Sequence, residues 1–138
     1  MKKVNYPIDK KKWSPSLIPG VITLISTNGL KGNPNIAPKS RIQMVPFDPS
    51  ILIFSGSKNG TTEKNINKTN CFGVNFIDSS LASITYNCIQ WYGRDRITKA
   101  GLSLTKAEKI NAPLINECKA HLECKLVDTK EIGSGYPN

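Results

Sequence analysis

Hydroxyl, glycine and lysine residues are concentrated between positions 55 and 62, and together they could bind a phosphate group. The run is Ser55-Gly56-Ser57-Lys58-Asn59-Gly60-Thr61-Thr62. Its hydroxyls and backbone N–H groups can donate hydrogen bonds to phosphate oxygens, and Lys58 adds a positive charge. The same run would also serve as a plain connection from a strand to a helix, with Thr61 as the N-cap. On these residues alone both interpretations stay open.

A second polar segment, Asn35-Ile36-Ala37-Pro38-Lys39-Ser40, could hold a flat ring with a polar edge. Ala37 is small enough for close approach, and Pro38 stiffens the chain. Lys39 and Ser40 can donate hydrogen bonds to the edge of the ring. Taken in isolation, however, N-x-A-P-x-S is only a polar entry into a strand.

The 138-residue chain carries a net charge of +9, which would attract nucleic acid or a phosphate-bearing cofactor. The lysines are scattered except at Lys10-Lys11-Lys12, a run more typical of a solvated chain end than of a binding arm. Trp91-Tyr92 with Arg94 and Arg96 is the only cluster of aromatic and basic residues, so binding of single-stranded nucleic acid is the weakest hypothesis. That cluster could be a lid over a ligand or a charged turn after a helix, and we favour the turn.

Thiol, imidazole and metal chemistry have little to build on in this sequence. The four cysteines are Cys71, Cys88, Cys118 and Cys124, without a C-x-x-C pair or a common zinc spacing. They are interpreted as buried structural thiols. The single histidine, His121, lies in an alternating run and is predicted to face outward from a strand. A hydrolytic triad or a histidine metal site is therefore not expected, and no catalytic side chain is assigned.

One domain without a membrane span is the expectation for a chain of this length. Its apolar runs are short, far below the roughly 20 residues that a transmembrane helix needs. The N-terminus lacks the apolar core of a secretory signal, so we expect a cytoplasmic protein.

The elements that must position the polar segments are mostly strands. They are predicted at residues 21–27, 35–45, 50–55, 71–76 and 119–132, with turns at 28–34 and 46–49. The strand at 50–55 is apolar on both faces, which suits the interior of a sheet. Residues 1–16 are predicted to form an irregular N-terminal arm. Residues 17–138 would then form a single mainly β domain, a barrel with short helical insertions.

Two short helices are predicted between the strands. The first begins near Thr61, and the second begins at Asp78 or Ser79. The apolar face of the second helix is formed by Leu81, Ile84, Cys88 and Ile89.

Four motifs occur in an order that resembles the flavin reductase-like family, whose fold is the FMN-binding split barrel. They are Gly32-Asn33-Pro34-Asn35-Ile36-Ala37-Pro38-Lys39-Ser40, Asp48-Pro49-Ser50, Thr62-Glu63-Lys64-Asn65-Ile66 and Phe72-Gly73-Val74-Asn75. Later landmarks, such as Asp95-Arg96 and Ala100-Gly101-Leu102, are also similar to that family. The resemblance covers about residues 17 to 133 and rests on the joint order of the motifs, since each is weak alone.

The resemblance implies a bound FMN and assigns residues to it. The isoalloxazine ring and ribityl chain would be lined by Asn35, Ala37, Pro38, Lys39 and Ser40. The phosphate would lie near Ser55, Lys58 and Thr62, and the first strand would face the flavin through Ser26 and Thr27. Relatives often carry a basic and an acidic residue just before the threonine that matches Thr62. Gly60 and Thr61 stand at those places, so Lys58 is the expected substitute.

Relatives continue with further strands beyond the point where this chain ends, so the resemblance implies a barrel truncated at its C-terminus. A barrel of this kind exposes a strand edge, and an exposed edge promotes association. Relatives form homodimers with the flavin near the interface, so a partner subunit could cover part of this edge. A homodimer is therefore expected.

The activity that the resemblance implies is an oxidoreductase reaction carried out by a flavoprotein. NAD(P)H would pass a hydride to the flavin, and the electrons would go on to free flavin, a metal chelate or a redox partner protein. No Rossmann fingerprint is present, so the nicotinamide would bind without that fold. The alternative is an FMN-binding electron carrier without nicotinamide turnover, and the residues do not separate the two.

Overall fold

The computed structural model describes residues 20–91 and 95–132, and this part of the chain is mostly β-sheet. Its strands are β1 (Thr23–Asn28), β2 (Pro34–Lys39), β3 (Ile42–Phe47), β4 (Ser50–Phe54), β5 (Cys71–Phe76), β6 (Leu104–Lys106), β7 (Pro113–Ile115) and β8 (Ala120–Lys125). Its helices are α1 (Thr61–Thr69), α2 (Ala82–Asn87) and α3 (Asp95–Ala100), with a 3₁₀ turn at Ser79–Leu81 before α2. The predicted arm at 1–16, and residues 92–94 of the aromatic and basic cluster, lie outside the described residues.

A four-stranded antiparallel sheet in the order β2-β1-β5-β8 organises the fold. Strand β1 lies inside this sheet and sends alternate side chains to two cores, with Leu24 on one face and Ile25 on the other. Because both faces are covered, residues 23–27 are all buried, and the strand lacks the alternation of polar and apolar residues seen in half-exposed strands.

The two cores lie on opposite faces of the central sheet. The first joins the sheet to α2, α3 and β7 and contains Leu24, Ile36, Leu81, Cys88, Ile97, Ala100, Leu102, Ile115 and Cys118. The second contains Ile25, Ile66, Phe72 and Val74, and partly buried residues of β3 and β4 pack against it. The rings of Phe54 and Phe72 meet edge to face with centroids 5.2 Å apart, which fastens β4 to the sheet.

The segment predicted as one strand at 35–45 is two strands, which is a correction. The chain leaves the central sheet at Ser40, and β3 then pairs with β4 in a separate hairpin. Periodicity could not reveal this change because both strands are extended. Pro46, predicted to lie in a turn, belongs to β3 at a register shift between Met44 and Phe47, where its missing N–H breaks no ladder bond. The turn is therefore confined to Asp48 and Pro49.

Strand β4 does not lie in the interior of a sheet, contrary to the prediction. Among the described residues it pairs with β3 alone, and the side chain of Ile53 is 58% exposed. The predicted strand at 119–132 is also too long, since β8 ends at Lys125. Lys125 pairs with Cys71, the first residue of β5, and beyond this pair a hydrogen bond from Leu126 N to the carbonyl of Asn70 at 2.9 Å continues the contact by one residue.

The ends of the helices are set by local hydrogen bonds. Gly60 is the N-cap of α1 and Thr61 is its first helical residue, so the predicted threonine cap is wrong. Asp78 does cap the next turn, as predicted, by accepting a hydrogen bond from Ser80 N at 2.9 Å. The apolar face of the second helix is correct except for Ile89, which is exposed because α2 ends at Asn87.

The thiols and the histidine differ partly from expectation. Cys71, Cys88 and Cys118 are buried free thiols as predicted, whereas Cys124 is only half-buried. His121 is half-buried rather than outward-facing, and its Nε2 lies 2.8 Å from the carbonyl of Ile115. Within the described ranges, no helix has both the length and the apolar character needed to cross a bilayer.

Candidate functional site

A large cleft opens between the central sheet and the β3–β4 hairpin, with a volume of about 1950 Å³. Its floor is formed by the end of β2 and by Phe72 of β5, and the first turn of α1 closes one end. The segment after β8 lines another side through Leu126 and its neighbours. Apolar residues of the hairpin, among them Ile42, Met44 and Leu52, give the cleft a broad hydrophobic wall. Such a wall suits a flat aromatic ligand.

The charged residues of the cleft are mainly cations. Among the described residues, the cations are Lys39, Arg41, Arg96, Lys125 and Lys130, and the acidic residues are Glu63, Glu123 and Asp128. Each carboxylate already accepts backbone N–H groups: Glu63 from Asn59, Glu123 from Glu108 and Lys109, and Asp128 from Thr129. The cleft therefore favours an anionic ligand.

Lys39 is the half-buried cation at the end of β2. Burial, with further contributions from the positive charges of Arg96 and Arg41, lowers the pKa of its ammonium group. A Cβ atom placed at Gly56 would lie 3.8 Å from Lys39 Nζ, so the ammonium faces the segment that follows β4. Lys39 thus joins the two polar segments that the sequence analysis singled out.

Arg96 lies beneath the same end of β2 and is only 8% exposed. Its Nε donates to the carbonyl of Trp91 at 2.7 Å, and its other nitrogens donate to the carbonyls of Trp91 and Ile36. These bonds attach α3 to β2 behind the cleft. Trp91 itself packs on the first core.

A buried network of amide and hydroxyl groups supports the inner end of the cleft. The side-chain amide of Asn35 donates to Thr62 Oγ1 at 3.2 Å and to Thr27 Oγ1 at 3.5 Å. Asn65 donates to the same Thr27 hydroxyl at 3.0 Å. The network thereby ties the start of β2 to β1 and to the first turns of α1.

The cleft brings together six of the residues predicted to bind a cofactor. They are Asn35, Ala37, Lys39, Ser40, Ser55 and Thr62. Pro38 and Thr27 do not line the cleft, although Thr27 contacts it indirectly through Asn35. Ser26 points elsewhere: its hydroxyl donates to the carbonyl of Pro113 and accepts from Asn75 at 2.9 Å, so it fastens β7 to the sheet. The roles of these residues toward a cofactor stay predictions.

Lys58 does not line the cleft, although the sequence analysis placed it beside the phosphate. It forms an exposed ion pair with Glu131, 2.7 Å away, and this contact raises the pKa of its ammonium group. Asn59, with a left-handed φ of 64°, follows it, and Gly60 then begins α1.

Arg41 and Arg96 are cleft residues that the sequence analysis did not assign. Arg96 was noted only in the cluster of aromatic and basic residues and in a family landmark. A single sequence does not distinguish an arginine whose head is buried from one that is solvated. Its position five residues after Trp91, near the start of a short helix, was the available signal.

Cys124 lies at the cleft on the strand next to Phe72. Burial raises the pKa of its thiol to about 11, so the group is protonated and unreactive near neutral pH. No group of three or more potential metal-binding side chains occurs within residues 20–91 and 95–132.

The family model of the flavin reductase like domain matches residues 16–135, so the chain belongs to this family. The fold agrees: the flavoredoxin of Desulfovibrio vulgaris (Miyazaki F) superposes with a TM-score of 0.82 at 20% identity, over 95% of this chain and 69% of that one. The flavoredoxin from Methanosarcina acetivorans gives 0.78 at 26% identity, over 99% and 70%. The prediction of a mainly β, flavin reductase-like split barrel is therefore confirmed.

Curated relatives are longer than this chain. An uncharacterized protein of Methanothermobacter thermautotrophicus is 33% identical over 118 residues, which are 80% of this chain and 53% of that protein. The matches to two other curated relatives span 64% and 60% of the lengths of those proteins. This chain therefore spans between about half and two thirds of the curated relatives that it matches.

Proposed function

We propose that this chain is the flavin-binding part of an oxidoreductase and that it holds FMN in the cleft between the central sheet and the β3–β4 hairpin. One observation carries the proposal: a cleft with a hydrophobic wall converges on a half-buried cation, Lys39, that faces the glycine and serine segment after β4. FMN is a flat apolar ring joined to a phosphate by a polar chain. The hydrophobic wall suits the ring, the glycine and serine segment suits the polar chain and phosphate, and Lys39 suits the phosphate charge.

The residues of the cleft fit each part of FMN. Ala37 and the apolar hairpin residues can cover the ring, while Asn35 and Ser40 offer polar groups to its edge and to the ribityl chain. Ser55 and Gly56 offer a hydroxyl and an open backbone to the phosphate. The first turn of α1 has no side-chain cap, which leaves N–H groups for an anion at that end of the cleft.

The flavin, when bound, would supply the redox chemistry by taking a hydride from NAD(P)H and releasing electrons to an acceptor. The chain's own residues position and shield it. Lys39 and its cationic neighbours stabilise negative charge, and the partly buried Ile42 and Leu52 shield the ring from water. At about 1950 Å³ the cleft exceeds the roughly 300–1,000 Å³ of most small-molecule pockets, which leaves space for a second ring beside the flavin.

A second candidate function is that of an FMN-binding electron carrier without nicotinamide turnover. The two flavoredoxins among the structural neighbours favour it by their names. Steady-state oxidation of NADH or NADPH by the FMN-loaded protein separates the two functions. Turnover above that of free FMN supports the oxidoreductase, and its absence in a protein that retains FMN supports the carrier, which would pass electrons to a redox partner protein.

We also infer that the chain forms a homodimer through the β3–β4 hairpin. Phe47 at the tip is 86% exposed, and Val45 and Met44 beside it are exposed as well. Apolar side chains grouped in this way favour a protein contact. Sedimentation equilibrium tests this inference, and replacing Phe47 by aspartate should shift a dimer toward monomer.

FMN binding is tested by titrating a fixed concentration of FMN with purified protein and following the quenching of flavin fluorescence. Saturable quenching that riboflavin reproduces only weakly would support a site with a phosphate subsite. Binding of single-stranded DNA in place of flavin would instead support the nucleic-acid hypothesis.

A further inference from the structure

We propose that Lys39 is the cation that recognises the phosphate of the bound flavin and makes the cleft select FMN over riboflavin. This inference rests on the proposed function and goes further by naming the specificity-determining residue. The sequence analysis placed Lys39 beside the ring and gave the phosphate to Lys58. The geometry of the cleft favours Lys39 over Lys58 as the residue beside the phosphate.

The first argument is position. Lys39 lines the cleft, and its ammonium would lie 3.8 Å from a Cβ placed at Gly56. Gly56 stands between two serines that also line the cleft, Ser55 and Ser57. A phosphate held by this segment would therefore lie within hydrogen-bonding reach of Lys39 Nζ.

The second argument is that Lys58 is engaged elsewhere. Its ammonium lies 2.7 Å from a carboxylate oxygen of Glu131, and both side chains are largely exposed. Lys58 does not line the cleft, so serving the phosphate would require breaking this ion pair and turning the side chain inward. Lys39 needs no such rearrangement.

The third argument is the local charge balance. Lys39 is half-buried and shares its surroundings with the guanidinium groups of Arg41 and Arg96. The described residues form no ion pair between Lys39 and a carboxylate, and the three carboxylates of the cleft accept backbone N–H groups. Burial and the positive charges of Arg96 and Arg41 disfavour the charged form of Lys39, and an anion bound beside its ammonium group offsets this cost.

The experiment compares FMN and riboflavin as probes on three single variants. Lys39→Met keeps the aliphatic stem and removes the charge, Lys39→Arg keeps a charge, and Lys58→Met is the control for loss of a nearby surface lysine. Dissociation constants for both flavins are measured by fluorescence quenching at fixed ionic strength. Because riboflavin lacks only the phosphate, the ratio of the two constants isolates phosphate recognition.

Lys39→Met should weaken FMN binding by roughly ten- to a hundredfold, the loss of one hydrogen bond to a charged group. It should leave riboflavin binding within about twofold, and Lys39→Arg should retain most of the preference for FMN. Lys58→Met should behave like the wild type. Circular dichroism melting of each variant confirms that it is folded before binding is measured.

The outcomes separate this inference from the proposed function. If the wild type binds FMN but Lys39→Met binds it equally well, or if Lys58→Met loses the preference instead, the assignment of Lys39 is overturned and the flavin site survives. If the wild type binds neither flavin, the proposed function fails and this inference fails with it. Equal weakening of FMN and riboflavin by Lys39→Met would also overturn the assignment, because it would indicate a role toward the ring.

Discussion

Asn35 donates a hydrogen bond from its side-chain amide to the hydroxyl of Thr62, 3.2 Å away. The two residues belong to the two polar segments that the sequence presents separately, and the bond joins the start of β2 to the first turn of α1. Asn35 is 4% exposed and also reaches the buried hydroxyl of Thr27. Part of the predicted cofactor-binding set is therefore a preformed network within the protein.

Replacing Asn35 by alanine should destabilise the protein by about 1–3 kcal/mol, because the half-buried Thr62 hydroxyl loses its donor and the buried Thr27 hydroxyl loses one of its two donors. It should also weaken FMN binding, since Thr62 would lose the group that orients its side chain. Urea unfolding and fluorescence titration measure the two effects. Thr62→Val is the matched variant, and a smaller loss of stability is expected from it because Thr62 is only half-buried. An Asn35→Ala protein as stable as the wild type would contradict the importance of this network.

Removing the charge of Lys39 should make the flavin-free protein more stable. Burial and two neighbouring guanidinium groups lower the pKa of Lys39 from its ordinary 10.5, so at neutral pH the folded state carries an unfavourable charge. Thermal melting should therefore give a higher Tm for Lys39→Met than for the wild type, with Lys39→Arg close to the wild type. A gain of stability with a loss of FMN affinity is the behaviour expected of a binding residue.

The pH dependence follows from the same shift. When the pKa is lower in the folded state, the unfolded state binds more protons between the two pKa values, so stability rises with pH in that interval. The free energy of unfolding of the wild type should be lower than that of Lys39→Met, with the largest difference at pH values below the pKa of Lys39 in the folded state. The difference should shrink as pH approaches 10.5. Urea unfolding of both proteins between neutral pH and pH 10.5 checks this. A stability deficit that grows with pH would contradict a pKa of Lys39 that is lowered in the folded state.

Replacing Gly73 by alanine should destabilise the sheet by about 1–3 kcal/mol through overpacking. A Cβ atom there would lie 2.5 Å from Ser26 Oγ, 2.9 Å from Leu114 Cδ2 and 3.1 Å from the carbonyl of Pro113. The control is Gly29→Ala, whose added Cβ would meet Asn65 Oδ1 at 3.4 Å, an ordinary contact. Equal free energies of unfolding for the two variants would contradict this prediction, because they would indicate that β7 shifts away from residue 73 without loss of stability.

Cys124 should react slowly with a thiol reagent at neutral pH, because burial raises its pKa to about 11 and leaves little thiolate. Its reaction should accelerate with pH toward that value, and bound FMN should slow it because Cys124 lines the cleft. Peptide mapping after iodoacetamide treatment, with and without FMN, measures both effects. Fully buried Cys88 is the internal control, and FMN should not alter its labelling directly. Unchanged labelling of Cys124 in FMN-saturated protein would place the flavin elsewhere.

Local patterns sufficed to predict β1, β5 and the start of the second helix. Residues 71–76 form a strand as predicted, and Asp78 caps the following turn because its carboxylate can reach Ser80 N within two residues. The change of sheet at Ser40 left no local signal. Both β2 and β3 are extended, and which strand each one pairs with depends on residues far away in the sequence.

The candidate site was also predictable only where local sequence determines the structure. The resemblance assigned Asn35 and Thr62 to different parts of one cofactor, and the structure brings their side chains within 3.2 Å. The position of Lys58 outside the cleft could not be predicted, since its long side chain turns toward Glu131, 73 residues away. Ser26 was assigned to the ligand because of its hydroxyl, yet its partners come from β5 and from Pro113 of β7, on the face away from the cleft.

The central claim is that the cleft holds FMN, and retention of FMN by the purified protein tests it most directly. The protein is incubated with excess FMN and desalted, and its visible absorbance is recorded alongside that of a sample incubated with riboflavin. We predict that oxidised flavin absorbance remains with the protein after FMN and largely disappears after riboflavin. A folded protein that retains no FMN, and that does not quench flavin fluorescence at any concentration, would contradict the account.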